Sequence, residues 1–265
     1  MEAGNVVARI GVVTDIHGTE EQWPHTERLL QRALETFAQQ RVDAVVDLGD
    51  RINEVSADAD RQLVQRIAAA LRSPGWPVLH LYGNHDTVYL GKEEQNRWLG
   101  KAGNYEECRV GGARLLLLDS METVSGGPIS ASQLHWLEGR LSACEEPALV
   151  FCHHPLDEPD PAGHPYFSQH PEEVGVANAA AVRAVLERFP WVYAVVQGHL
   201  HRWSVHCRGG VAYITLPPLG PSDDGSRPEG AHAVVTLRDR SVHVALFDAD
   251  GLQKEWQAPA PVLSG

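Results

Sequence analysis

In the first third of the chain, continuous apolar runs alternate with segments whose apolar residues have helical spacing. Continuous apolar runs typical of buried strands cover residues 7–14, 42–48 and 77–82. Between them, residues 27–40 and 58–71 place apolar side chains three and four positions apart, which is the spacing of one helix face. Strands that alternate with helices in this way predict parallel pairing through helical crossovers, and therefore an α/β fold.

The rest of the chain predicts more strands than helices. Gly111-Gly112 lies between two apolar runs and is a hairpin signal, and Ser130 is expected to cap a helix. The other expected elements are strands at 105–110, 113–119, 148–152 and 191–197, a helix at 178–189, and final strands at 204–207, 211–215, 231–237 and 242–247. We expect a single domain over residues 1–265, in which the strands between 204 and 247 complete a second sheet.

The net charge restricts the partners that this chain can have. It carries 22 Lys and Arg residues against 35 Asp and Glu residues, a formal net charge of −13. An acidic surface repels a nucleic-acid backbone, so we expect no nucleic-acid partner. A small phosphorylated substrate is compatible with this charge where a bound metal ion supplies a local positive potential.

The sequence gives no signal for a membrane span or a signal peptide. No segment approaches the roughly 20 apolar residues of a span, and residues 1–13 lack a basic start and a long apolar stretch. The four cysteines form no Cys-x-x-Cys pair. We therefore expect a cytoplasmic protein with reduced thiols and no membrane partner. The exposed edges of the terminal strands would allow a homodimer.

Five short fragments concentrate the residues that can carry chemistry, and each directly follows an apolar run. In chain order they are Asp15-Ile16-His17, Gly49-Asp50-Arg51-Ile52-Asn53, Gly83-Asn84-His85-Asp86, His153-His154-Pro155 and Gly198-His199-Leu200-His201. Ligands of open α/β sheets bind at the carboxyl ends of the strands, so we expect the five fragments to meet at one rim. Their carboxylate, amide and imidazole groups, without a thiolate, suit Mn, Fe, Co or Zn.

The order and spacing of these fragments resemble the calcineurin-like metallophosphoesterase superfamily, over residues 15–201 of this chain. His153-His154-Pro155 and the helix around residues 134–137 are similar to the class III cyclic-nucleotide and glycerophosphodiester phosphodiesterases. The resemblance implies a four-layer αββα sandwich of two mixed β-sheets flanked by helices. It also implies two divalent or trivalent metal ions, with Asp15, His17 and His201 on one, Asn84, His153 and His199 on the other, and Asp50 bridging them.

Further roles follow from the same resemblance. His85 would stabilise the phosphoryl oxygens or protonate the leaving alkoxide, and Asp86 would orient its ring. Asn53 would hold an outer catalytic position. Asn84 and His85 would contact substrate, whereas His154 would either bind substrate or support the metal ligands.

The expected function is hydrolysis of a small phosphodiester, of the cyclic-nucleotide or glycerophosphodiester type, by in-line attack of metal-bound hydroxide. A phosphomonoesterase and a nucleotide-diphosphate pyrophosphatase would share the same ligands and remain alternatives, as does a non-catalytic binding scaffold.

Two features of the sequence have no single interpretation. Arg51 and Arg202 follow candidate ligands and would clamp a phosphate or simply pack. The irregular stretches 156–175 and 217–230 are either lids or plain surface loops.

Overall fold

The structure is a computed structural model that describes residues 4–221 and 229–261. The strands within these ranges are β1 (Val6–Val13), β2 (Ala44–Asp47), β3 (Val78–His80), β4 (Glu106–Val110), β5 (Ala113–Leu117), β6 (Ala148–Cys152), β7 (Val192–Gln197), β8 (Ser204–Arg208), β9 (Val211–Thr215), β10 (His232–Arg238), β11 (Ser241–Asp248) and β12 (Gly251–Pro259). The α-helices are α1 (Trp23–Gln40), α2 (Ala57–Arg72), α3 (Lys92–Leu99), α4 (Ala131–Ser142) and α5 (Ala179–Leu186).

The strands form two six-stranded sheets, in the spatial orders β12-β11-β10-β1-β2-β3 and β4-β5-β6-β7-β9-β8. Strands β1, β2 and β3 are parallel, as are β5, β6, β7 and β9. Antiparallel strands border both parallel blocks, and β4 and β5 form the predicted hairpin. Both sheets are therefore mixed, as expected.

Three apolar clusters set the layering. One lies between the sheets and contains Ile10 and Val12 of β1 together with Phe151 and Val196 of the second sheet. Helices α1 and α2 cover the outer face of the first sheet, and α4 and α5 cover that of the second. The predicted four-layer αββα sandwich is confirmed.

Helix caps follow the sequence signals. The Ser130 hydroxyl, predicted to cap a helix, accepts a hydrogen bond of 3.2 Å from the Gln133 amide at the start of α4. Ser56 caps α2 in the same way, and Asp58 and Asp60 place negative charge in its first turn. These groups satisfy amides that a helix leaves unpaired at its amino end.

The expectation that the strands between 204 and 247 complete the second sheet is wrong in part. Strands β8 and β9 do join that sheet, but β10 and β11 join the first. After β9 the chain crosses to the first sheet, where the Leu219 amide donates to the Thr14 carbonyl at the end of β1. Strand β10 then pairs antiparallel with β1, from Ala233 opposite Val12 to Arg238 opposite Val6. The single-domain organisation stays a prediction.

Two elements have no counterpart in the predicted pattern. Helix α3 reads Lys-Glu-Glu-Gln-Asn-Arg-Trp-Leu and buries little apolar surface, and β12 is an edge strand that is largely exposed. Neither therefore shows a clear apolar period. Among the helices in the described parts of the chain, none is long and apolar enough to cross a membrane.

Candidate metal centre

The loops that follow β1, β2, β3, β6 and β7 bring the five fragments together at one end of the sheets. The side-chain donor atoms of Asp15, His17 and His201 all lie within 4.8 Å of one another, and so do those of Asp15, Asp50 and His153. His17, Asp50 and His85 form a third such group. Asp50 therefore lies between the two halves of the predicted ligand set. Asn84, His199 and His201 line the same cavity as Asp50.

The backbone at these positions has an uncommon conformation. Seven non-glycine residues of the described chain have positive φ, and five of them are predicted ligands. These five are Asp15, His17, Asp50, His199 and His201, with φ between 48° and 70°. A left-handed conformation costs roughly 1–3 kcal/mol for such residues and is concentrated at functional sites. The surrounding structure therefore holds these side chains in place against a local conformational cost.

In three of the predicted histidine ligands, one ring nitrogen donates a hydrogen bond to an oxygen acceptor. His17 Nδ1 donates to Asn53 Oδ1 at 2.9 Å, and His153 Nδ1 donates to the Leu48 carbonyl at 3.1 Å. His199 Nε2 donates to the Glu173 carbonyl at 2.9 Å. In the neutral ring that would bind a metal ion, the other nitrogen carries the lone pair, and acceptors of this kind orient metal-binding histidines. Asn53 thus has an outer position, where it orients His17.

The two predicted acidic ligands, Asp15 and Asp50, are fully buried in surroundings that favour their ionised forms. Burial raises the pKa of the Asp15 and Asp50 carboxyls, but His201 beside Asp15 and His153 beside Asp50 more than offset this, so both pKa values lie below their usual range. Burial lowers the pKa of His153, whereas the Asp50 carboxylate raises it, and the net result is a pKa of about 9. The Thr14 hydroxyl and the His199 amide also donate to Asp15.

The donor atoms fit metal ions. His17 Nε2 and His201 Nε2 face each other at 3.0 Å. His153 Nε2 lies 3.3 Å from Asp50 Oδ2 without hydrogen-bond geometry, and both it and Asn84 Oδ1 are buried with no hydrogen-bond partner among the described residues. A buried polar atom without a partner costs about 1–3 kcal/mol. Bound metal cations would accept the lone pairs of all these donor atoms.

The ring of His85 is oriented by Glu54, so the predicted role of Asp86 is wrong. His85 Nδ1 lies 2.5 Å from Glu54 Oε2, and His85 lines the cavity. Asp86 is instead buried beneath the loop of Asp50, where it accepts hydrogen bonds from the backbone amides of Asp50, Arg51 and Gly83. Asp86 therefore fixes the loop that carries Asp50. Burial of its carboxyl raises the pKa of Asp86 despite the nearby Arg51.

Arg51 does not clamp a phosphate. Its guanidinium is fully buried and makes ion pairs of 2.9 Å with Asp47 and 2.7 Å with Asp86. His80 donates to the same Asp47 carboxylate at 2.8 Å. We call the buried set Asp47, Arg51, His80 and Asp86 the support network, because it lies directly under the loop of Asp50. Arg202 donates to the backbone carbonyl of Asp160.

His154 does not reach substrate, so its prediction as a substrate-binding residue is wrong. The side chain is fully buried, and its two ring nitrogens lie 2.8 Å from the Ser120 hydroxyl and 3.1 Å from the Ser125 hydroxyl. Its ring packs on that of His199 at a centroid distance of 4.2 Å. His154 therefore supports the predicted ligand His199, which is the alternative role expected from its position beside His153.

A cavity of about 430 Å³ opens over the predicted ligands. Part of its wall comes from residues that no motif indicated, namely Glu54, His164, Tyr166, Phe167 and Glu173. Four of the five lie in the irregular stretch 156–175, whose length was the only sequence signal for them. The stretch is a wall of the cavity and not a plain surface loop. Residues 222–228 of the second long stretch lie outside the described residues.

A family model described as calcineurin-like phosphoesterase matches residues 8–203, a range that contains all five fragments. The chain belongs to this family. It is therefore a metal-dependent phosphoester hydrolase, and the predicted resemblance is confirmed. The family uses divalent metal ions, for which this site has suitable His and Asp clusters.

Individual relatives agree with this assignment. The chain is 32% identical over 213 residues to the 3',5'-cyclic adenosine monophosphate phosphodiesterase CpdA of Escherichia coli, an alignment covering 76% of this chain and 72% of that protein. It is 29% identical over 185 residues to the glycerophosphodiester phosphodiesterase GpdQ of Enterobacter lignolyticus, covering 67% and 63% of the two chains. The crystal structure of a dimetal phosphatase from Danio rerio matches with a TM-score of 0.76 at 18% identity, over 97% of this chain and 100% of that one. This last similarity shows the shared fold.

Proposed function

We propose that this calcineurin-like phosphoesterase binds two metal ions and hydrolyses a small phosphodiester, of the cyclic-nucleotide or glycerophosphodiester type. The observation that carries the proposal is the position of Asp50, which lies within one cluster with His17 and within another with His153. Asp50 would bridge the two ions. The other ligands would be Asp15, His17 and His201 on one ion, and Asn84, His153 and His199 on the second.

Two bound cations lower the pKa of water and polarise the phosphoryl oxygens. The chain itself supplies the proton for the leaving group. Glu54 holds Nδ1 of His85, so the opposite nitrogen is available to donate to the alkoxide oxygen as its bond to phosphorus breaks and the bond from water oxygen forms. Burial lowers the pKa of His85, but Asp50 and Glu54 raise it further, which favours the protonated ring.

The charge of the cavity supports a diester over a monoester. Glu54 and Glu173 line it beside the predicted ligands, and its described lining residues include no lysine or arginine. A phosphate diester carries one negative charge, whereas a monoester carries up to two and gains more repulsion from these carboxylates. The similarity to CpdA and GpdQ, both named as phosphodiesterases, points in the same direction.

The test is a phosphoester panel on the metal-loaded protein. We expect metal-dependent hydrolysis with a higher kcat/KM for bis-p-nitrophenyl phosphate than for p-nitrophenyl phosphate, and no turnover after chelation. Asp50→Asn serves as the inactive control. A higher kcat/KM for the monoester would indicate a phosphomonoesterase, preferential cleavage of ADP-ribose would indicate a pyrophosphatase, and no hydrolysis of any ester would contradict an enzymatic function.

The cytoplasmic location and the homodimer stay predictions. All four cysteines are free thiols in the structure, in keeping with a reducing compartment. Cell fractionation tests the location, and light scattering of the purified protein tests the homodimer.

A further inference from the structure

Four aromatic rings form a continuous line from the rim of the cavity to the metal centre. His170 stacks on Tyr166 with centroids 4.5 Å apart and an interplanar angle of 26°, and the rings of Tyr166 and Phe167 are nearly perpendicular with centroids 5.2 Å apart. Phe167 packs on His199, a predicted ligand, at 4.8 Å. We call residues 164–173 the aromatic flap. Through these contacts the rings of Tyr166 and Phe167 have defined positions beside the site where phosphate would bind.

Tyr166 is the exposed member of this line that also lines the cavity. Its side chain is 47% exposed, whereas Phe167 is 6% exposed and serves as packing. The Tyr166 hydroxyl donates to Glu173 Oε2 at 2.9 Å, and the backbone amides of Tyr166 and Phe167 donate to His164 Nδ1. The ring is thus held before any ligand arrives. An aromatic side chain that is held in place and half exposed beside a polar site can stack on a flat ligand group.

The charges around the ring favour an uncharged group as its partner. The Glu173 carboxylate is paired with the Tyr166 hydroxyl, and the Glu54 carboxylate is paired with His85. A second phosphate would face these carboxylates, with no lysine or arginine among the described lining residues to neutralise it. A flat neutral ring gains contact area on Tyr166 without this repulsion.

We propose that Tyr166 is the specificity-determining residue of this site, and that its ring stacks on the nucleobase of a nucleoside phosphodiester. The substrate class is then a monoanionic nucleoside diester such as a cyclic nucleotide, in preference to an aliphatic glycerol diester. This inference rests on the proposed phosphodiesterase function and names the alcohol group that the site selects. A glycerol group has no π face and gains little from the ring.

The experiment compares Tyr166→Leu with the wild-type protein on two diesters. Stacking of a base on an aromatic side chain is typically worth a factor of about 10 in binding. We expect the variant to raise KM for adenosine 3',5'-cyclic monophosphate by about 10-fold with little change in kcat. Its kcat/KM for glycerophosphoglycerol, which has neither ring nor cation, should stay at the wild-type value. Tyr166→Phe, which keeps the ring, should restore most of the affinity for the nucleotide.

The matched control is Tyr89→Leu. Tyr89 is 53% exposed and is not among the residues that line the cavity. It should leave both substrates unaffected. An equal loss on the two diesters in Tyr166→Leu would overturn the proposal, because the ring would then serve structure alone. A larger loss on glycerophosphocholine than on the nucleotide would also overturn it, since aromatic rings bind quaternary ammonium groups as well.

Binding without turnover separates this proposal from the proposed function. Calorimetry can measure adenosine monophosphate and glycerol 3-phosphate on the metal-loaded wild-type and Tyr166→Leu proteins. Weaker binding of adenosine monophosphate alone supports the stacking role, even where no ester is hydrolysed and the proposed function fails. Equal binding of adenosine monophosphate to both proteins contradicts the stacking role, even where diesterase activity is found.

Discussion

The floor of the cavity, which consists of the seven predicted ligands and the loops that carry them, is built differently from the aromatic flap. On the floor, five of the seven predicted ligands have a left-handed backbone, and Asp86 holds the Asp50 loop through two backbone amides and Gly83 through a third. On the flap, Tyr166 is half exposed and its ring is held by a single side-chain hydrogen bond and two neighbouring rings. A change on the floor therefore displaces several donor atoms together, whereas a change on the flap alters one contact. The floor carries the predicted metal ligands, and the flap is suited to select the substrate.

Removal of the His85 side chain should have the largest effect among changes that leave the metal ligands intact. General acid catalysis contributes about 10²–10⁴ in rate, so His85→Ala should lower kcat by that factor. Because His85 is outside the predicted ligand set, bound metal should be unchanged by elemental analysis. Loss of metal in this variant would make His85 part of the ligand set, and unchanged kcat would remove it from the reaction.

Gly83→Ala tests how tightly the floor is packed. A Cβ atom at Gly83 would lie 2.0 Å from Asp50 Oδ1 and 2.6 Å from the Asp50 amide, so the Asp50 loop must shift. Misplacement by about 1 Å typically costs 10²-fold in rate, and we expect a loss of that size in kcat/KM.

Gly91→Ala is the matched control for this change. A Cβ atom at Gly91 meets no atom within 4 Å, and its φ of −70° suits any residue. This variant should keep wild-type activity. Equal activity of the two alanine variants would show that the floor tolerates the added Cβ atom, and the rigid floor assumed in the comparison with the flap would then be wrong.

Glu54→Gln should have a smaller effect, because Glu54 acts through His85. The glutamine keeps an acceptor near His85 Nδ1 but loses the charge that favours the protonated ring. We expect kcat to fall about 10-fold with KM unchanged, which is the range for outer groups that orient a reactive side chain. Glu94→Gln is the control, because Glu94 pairs with Arg61 on the helical face. A change in KM alone would assign Glu54 to substrate binding.

The support network predicts a pH dependence of stability. Burial lowers the pKa of His80 to about 4 from 6.5, although Asp47 acts in the opposite direction. Between these values the unfolded chain binds a proton that the folded chain does not, so stability falls as the pH drops from about 6.5 to 4. His80→Asn removes this titration and keeps a donor for Asp47.

Urea unfolding at pH 7 and pH 5 measures the effect. The free energy of unfolding of the wild-type protein should fall by about 2 kcal/mol more than that of His80→Asn over this interval. Other buried histidines titrate equally in both proteins, so they cancel in the difference. The same loss in both proteins would show that His80 already carries a proton in the folded chain.

The same two regions differ in what the sequence could predict. The positions of the five fragments follow from apolar runs that end in polar residues, since the carboxyl ends of parallel strands meet at one rim. The partner of His85 could not be found in this way. Asp86 is adjacent in sequence, but the chain turns at residues 85–87 and directs it to the backbone amides below, while Glu54 approaches from another loop.

The pairing of strands that are distant in sequence could likewise not be predicted from the pattern of apolar residues. The apolar runs of β10 and β11 do not indicate which sheet they join, and it is the backbone pairing of β10 with β1 that places them in the first sheet. Helix α3 buries only Gln95 and Leu99, and strand β12 is largely exposed, so neither shows a clear apolar period. The wall formed by Tyr166 and Phe167 had only loop length as its signal, because aromatic residues in irregular segments have no spacing rule.

The most direct test of the two-metal centre is elemental analysis of the purified protein after loading with Mn, Zn or Fe. The account predicts two metal ions per chain, and a marked loss of bound metal in Asp50→Asn, because this carboxylate joins both ligand groups. One ion per chain, or two ions retained by Asp50→Asn, would contradict the bridging role on which the proposed function depends.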